Sequence, residues 1–197
     1  MGVLPAVELA DLKPKFRGWL HLGAAPVAVL AGMLLVVASP PHLRIAVAVY
    51  SVSTVLLFTS SAMLHVGSWG PRTHGVLRRI DHCGIFFLIA GSFTPFAAAL
   101  LPPGTAATML WLVWVGAVAG AMFRVFWLKA PRWVYTPVYL ALGWTAAFFM
   151  PDIADGGGLA ILVLLIAGGV CYSAGAVIYA LRRPNPSPRW FGFHEVF

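Results

Sequence analysis

A chain of 197 residues that is 60% hydrophobic and only 10% charged is not an ordinary water-soluble domain. Its net charge of +7 would suit a nucleic-acid partner, but the basic residues fall in short segments between long apolar runs. That is a membrane pattern, and it argues against nucleic acid as a partner. Cys83 and Cys171 both lie inside apolar runs, so they supply no disulfide framework and read as buried thiols.

The first element follows Lys13, Lys15 and Arg17. The uncharged run His21–Ala38 ends near small residues, as a signal peptide does. At eighteen residues it exceeds a typical signal core and is long enough to span, so it reads as a retained first helix. Charge-free runs follow at Ile45–Leu64, Cys83–Phe123, Trp133–Pro151 and Gly156–Leu181. The run from Cys83 is twice the needed length and is broken at Leu101-Pro-Pro-Gly-Thr105, where two prolines and a glycine make a turn. The expected fold is therefore all-α: a polytopic membrane bundle with spans near 20–38, 45–65, 82–101, 105–126, 133–150 and 158–181. Residues 1–18 form an N-terminal segment, 19–183 the bundle, and 184–197 a turn that starts one further helix.

Orientation follows from the loops. Lys13, Lys15, Arg17, Arg72, Arg78, Arg79, Arg124, Lys129, Arg132, Arg182, Arg183 and Arg189 fall on one side. Of the thirteen basic residues only Arg44 falls on the other, with Asp152 and Asp155. The positive-inside rule makes the basic side cytoplasmic, with the N-terminus inside.

Several details are ordinary for packed spans. Gly116 with Gly120, and Gly169 with Ser173, allow close helix approach. Thr94-Pro95 is expected to kink the third span, and Trp69, Trp127, Trp133 and Trp190 suit the interface.

The titratable groups left over gather at the cytoplasmic side. Ser61 and His65 lie one turn apart at the end of the second span, in "FTSSAMLHVGSW". Asp81 and His82 open the third in "RRIDHCGIFF", and His194 and Glu195 follow the sixth. Each has a plain structural reading. The histidines suit an interface, Asp81 suits a helix N-terminus, and Ser61 can bond its own helix backbone. His21, beside Arg17 and Trp19, reads as structural; His42 falls on the outer side and His74 in a basic loop. Taken together, imidazoles and a carboxylate suit zinc, with Asp81 orienting a metal-bound water and Ser61 supporting the site. His65 and His194 are two ligands where a catalytic site uses three, so the residues alone leave both readings open.

At these positions the sequence resembles the hemolysin III family, the bacterial branch of the progestin and adipoQ receptor group. The family pattern is Ser-xxx-His ending the second helix, Asp-His opening the third and His-xxx-His opening a seventh. Here it reads Ser61-Ala-Met-Leu-His65, Asp81-His82 and His194-Glu-Val-Phe. "DHCGIFFLIAGSFTPFA" resembles the family's third helix, and "RGWLHLGAAPVAVLAG" its opening. The resemblance runs from Arg17 onward. It implies seven helices in a bacterial plasma membrane, with zinc held near the cytoplasmic face by His65, His194 and a third histidine. That third ligand would fall one residue past Phe197, so the sequence reads as a fragment, or as a member that has lost part of its site. His194 would then have no helix holding it, and zinc affinity would be reduced. Asp81 would approach the metal through water, with Ser61 as the motif serine.

The likeness of the site to alkaline ceramidases implies a zinc-dependent hydrolase of a lipid amide or ester, with a membrane lipid as substrate or ligand. The alternatives are a pore, which the family name suggests but spans without rows of polar residues do not support, and a receptor-like membrane-stress protein with structural zinc. His194-Glu195 also matches the start of a His-Glu-x-x-His protease motif, but Ser61-xxx-His65 and Asp81-His82 have no place in it. Oligomeric state is not legible.

Overall fold

The computed structural model describes residues 14–197. Lys13, one of the basic residues that set the orientation, lies outside them. The regular secondary structure among the described residues is helical, apart from an isolated bridge between Ser187 and Phe191. The helices are α1 (Trp19–Ala38), α2 (Arg44–Val66), α3 (Pro71–Leu100), α4 (Pro103–Phe126), α5 (Arg132–Gly143) and α6 (Met150–Leu181). A 3-10 segment, Trp144–Phe149, joins α5 to α6, and one further turn of helix covers Phe193–Val196.

Among the described residues five stretches are long and apolar enough to cross a membrane, and the last of them, Arg132–Leu181, runs for 50 residues. That stretch folds back on itself. Tyr135 Oη meets Tyr179 Oη at 2.9 Å, and Trp144 Nε1 donates to Ser173 Oγ at 2.9 Å, so the two limbs run antiparallel. The reversal falls at Gly158, whose φ of 73° suits a residue without a Cβ. Gly156, just before it, packs against the Leu100 carbonyl at the end of α3, where a side chain would not fit.

Two element boundaries differ from expectation for physical reasons. α3 starts at Pro71, so Arg72, Arg78 and Arg79 extend a helix instead of forming a loop. Helix formation requires no apolar run, and proline is favoured at its first position. Asp152 and Asp155 likewise lie within α6, not in a loop, and the fifth run is split into α5 and a 3-10 segment. α3 continues through Pro95, with Thr94 Oγ1 bonded to the Ala90 carbonyl and accepting from Trp114 Nε1.

The best-packed core lies between α3, α4 and α5, around Phe86, Ala90, Met109, Val113 and Ala117, none of which is exposed. The small residues do what their spacing suggests. Gly120 faces the Phe86 ring, Gly116 faces Leu142, and Gly169 faces Trp144. α1 buries no residue, and α6 buries only Ile153 and Ala176. Between α1–α3 on one side and α5–α6 on the other lies a cavity of about 1170 Å³. Cys83 is buried and Cys171 exposed, and both are free; the exposed Cys171 departs from the expected pair of buried thiols.

Candidate functional site

The site is assembled at the end of the bundle where α1 and α3 begin and α2 ends. Gly18 caps α1 with φ 86°, and a Cβ there would run into the His65 side chain. Glycine therefore lets the start of α1 close on the end of α2. On α2, Ser61 is buried and His65 stands one turn later, in the last turn before the helix stops at Gly67. Asp81 is buried on α3 at 7% exposure and lines the same cavity as Ser61. Ser61 does not bond its own helix; its hydroxyl oxygen lies 2.7 Å from His21 Nδ1.

His194 comes from the single turn Phe193–Val196. Its ring stands edge-on to that of His65, with centroids 5.0 Å apart. Among the described residues no spanning helix carries His194, but tertiary contacts hold its turn in place. The Phe193 amide donates to Asn185 Oδ1 at 3.1 Å, and Phe193 is buried. Glu195, whose side chain is 2% exposed, meets Arg17 Nε at 3.2 Å, accepts from the Gly192 amide at 2.7 Å, and lies 3.6 Å from His194 Nδ1. Burial alone would push the Glu195 carboxyl up. His194, the Gly192 amide and Arg17 outweigh it and hold the carboxyl down at about 2. The amides of Lys15 and Phe16 donate to the carbonyls of Arg189 and Trp190, so the segment before α1 is tied to the segment after α6.

Behind Asp81 lies a second layer. Arg124, expected in a basic loop, is wholly buried at the end of α4. It meets His82 Nδ1 at 2.5 Å, donates to the Trp127 and Leu128 carbonyls, each at 3.3 Å, and lies 4.1 Å over the Tyr135 ring. Tyr139 Oη donates to the His82 carbonyl at 3.2 Å. His82 is thus committed to Arg124 and Tyr139 and reads as a structural residue.

Ser61, His65, Asp81 and His194 all line the cavity, with His21, His82 and Glu195. His74, expected in a loop, sits in the first turn of α3 and also lines it. The rest of the wall is mainly apolar and aromatic, including Phe93, Trp144, Ile161 and Tyr172. Among the described residues no group of three or more His, Cys, Asp or Glu is gathered to hold a metal ion. His65 and His194 provide half of a tetrahedral zinc shell, and the described residues do not complete it. Sequence reasoning missed the place of His21 in this cluster and the burial of Arg124. The available signal for His21 was its position at the start of the first span, level with the end of the second.

A family model described as "Haemolysin-III related" matches residues 10–197. The chain is 34% identical over 149 residues to the "Hemolysin-3 homolog" of Bacillus subtilis (strain 168), covering 74% of this chain and 68% of that protein. It is 32% identical over 138 residues to the "Hemolysin-3" of Bacillus cereus, covering 68% of this chain and 61% of that protein. With the human "Monocyte to macrophage differentiation factor" it shares 27% over 138 residues, 66% of this chain and 56% of that protein. The match thus spans between 56% and 68% of the length of these relatives.

Proposed function

The chain belongs to the haemolysin-III related family, and from that premise we propose that it binds a membrane lipid in its cavity and hydrolyses an amide or ester bond there. The reading rests on one observation: Ser61, His65, Asp81 and His194 converge at one end of a cavity whose remaining walls are mainly apolar. Such a space takes the hydrocarbon part of a lipid and leaves its linkage among polar groups. The basic end faces the cytoplasm of a bacterial cell, with the N-terminus inside.

In this reading Asp81 is the proton acceptor. Water attacks the carbonyl carbon, its proton passes to Asp81, the bond to the amine or alcohol breaks, and Asp81 returns the proton to the leaving group. The Ser61 hydroxyl, which lines the cavity, serves in this reading as a donor to the lipid carbonyl. Zinc is the cofactor this reading calls for, with His65 and His194 as two ligands. When bound, zinc supplies Lewis acidity toward a carbonyl. Two imidazoles do not complete its shell.

The test is release of fatty acid by the purified protein in bilayers containing amide-linked or ester-linked lipids. Release that disappears in Asp81→Asn is the expected result. Ion flux across liposomes without any release would replace the hydrolase by a pore.

A further inference from the structure

Three arginines line the cavity, Arg17, Arg78 and Arg132, and they differ in how their charge is matched. Arg17 pairs with Glu195 at 3.2 Å, and the other Glu195 oxygen accepts from the Gly192 amide. Arg132 opens α5, where its Nη1 donates to the Tyr179 carbonyl at 3.0 Å. Its guanidinium also lies 4.6 Å from the Tyr179 ring and 5.1 Å from the Phe193 ring. These contacts hold the group in place but include no carboxylate. Arg78, on α3, forms no hydrogen bond or ion pair with a described residue. Its neighbour Arg79, outside the cavity wall, donates instead to the Val125 and Gly75 carbonyls, each at 3.2 Å.

The two arginines without a carboxylate stand at the same end. Tyr139 Oη on α5 donates to the His82 carbonyl on α3 at 3.2 Å. Arg78 lies one turn before His82 and Arg132 two turns before Tyr139, so both fall on the cytoplasmic side of that bond. The carboxylates lining the cavity are Asp81 and Glu195. Arg17 matches Glu195, which leaves Asp81 alone against Arg78 and Arg132. One positive charge is therefore in excess at this mouth even with Asp81 ionised.

A guanidinium is suited to phosphate, whose several oxygens can serve two such groups at once. A free anion would leave the mainly apolar wall unfilled. Asp81 follows Arg78 by three residues, about 4.5 Å of helix rise. That is the scale of the glycerol unit between a phosphate and its ester linkages. We propose that the cavity takes a lipid with an anionic phosphate headgroup, held by Arg78 and Arg132 while its chains lie along the apolar wall. This names the class of lipid and rests on the reading of the cavity as a lipid site, but its test reads binding alone.

The test is calorimetric titration of the full chain in uncharged detergent, without added zinc. The probes are dihexanoyl phosphatidic acid, dihexanoyl glycerol and inorganic phosphate. Phosphatidic acid is expected to bind at least about tenfold more tightly than either of the others, as a charge-assisted contact implies. Arg78→Gln and Arg132→Gln should each lower its affinity about tenfold. Arg72→Gln makes the same charge change on an exposed residue of α3 outside the cavity wall and should leave the affinity unchanged. If Arg132→Gln fails to fold, the exposed Arg78 decides alone. Equal binding of the two lipids overturns the proposal, and so does a loss in Arg72→Gln equal to that in Arg78→Gln. Inorganic phosphate binding as tightly as the lipid overturns it in favour of a free-phosphate site. Phosphatidic acid preferred but never cleaved would end the hydrolase reading and leave the headgroup site. Cleavage of lipids without the preference would do the reverse.

Discussion

Arg17 and Glu195, separated by 178 positions in sequence, meet at 3.2 Å and join the segment before α1 to the turn that carries His194. Because the Glu195 side chain is 2% exposed, this is not a screened surface pair. Removing the cation leaves a buried carboxylate, which costs about 3–5 kcal/mol. Arg17→Met is expected to lose stability on that scale in thermal unfolding in detergent. Adding Glu195→Leu should recover part of the loss, because no unpaired charge then remains. A single variant within about 0.5 kcal/mol of wild type would contradict the finding.

The same pair predicts a pH dependence. The folded Glu195 carboxyl sits at about 2, below its ordinary 4.5, so the folded state favours the ionised form. Its contribution is fully present above about 4.5 and is lost as pH falls through about 2. Stability of wild type minus Glu195→Gln, followed by unfolding temperature, should therefore be flat from neutral pH to the mid-fours and shrink below. A difference already shrinking near neutrality would contradict this.

Arg124 is the buried cation of the second layer, with two backbone carbonyls and His82 as partners. Arg124→Leu is expected to destabilise the protein by about 3 kcal/mol, since the His82 nitrogen and two carbonyls lose their donor. Arg124→Lys should recover only part of this, because a single ammonium lacks the planar fork of donors. Unfolding temperatures of the two variants check the order. Equal stability of the leucine variant and the wild type would contradict the role.

These relationships show which parts of the molecule the sequence discloses. Leu101-Pro-Pro-Gly-Thr105 marks the turn between α3 and α4 because proline and glycine act locally. The one-turn spacing of Ser61 and His65 is equally local. The burial of Arg124 was not legible, because a guanidinium buried by backbone carbonyls looks the same in sequence as one exposed at the end of a span. The start of α3 at Pro71 was hidden because a helix can run past its apolar stretch into charged residues. His21 and the grip on Glu195 arise from contacts between distant segments, which no local pattern encodes.

Zinc binding supplies a further check on the site. If His65 and His194 are ligands, His65→Ala and His194→Ala should each lower zinc affinity by more than the roughly 10–100-fold cost of losing an outer-sphere partner. Titration calorimetry of the purified protein with zinc measures this directly. Affinity unchanged in both variants would remove zinc from this pair of imidazoles.

The most direct measurement follows the oxygen atom. Purified protein is placed in bilayers with an amide- or ester-linked lipid in water enriched in heavy oxygen, and the released fatty acid is analysed by mass spectrometry. The account predicts one heavy oxygen in each released carboxylate, and loss of that product in Asp81→Asn. Released acid without label, or no acid from any such lipid, would contradict it.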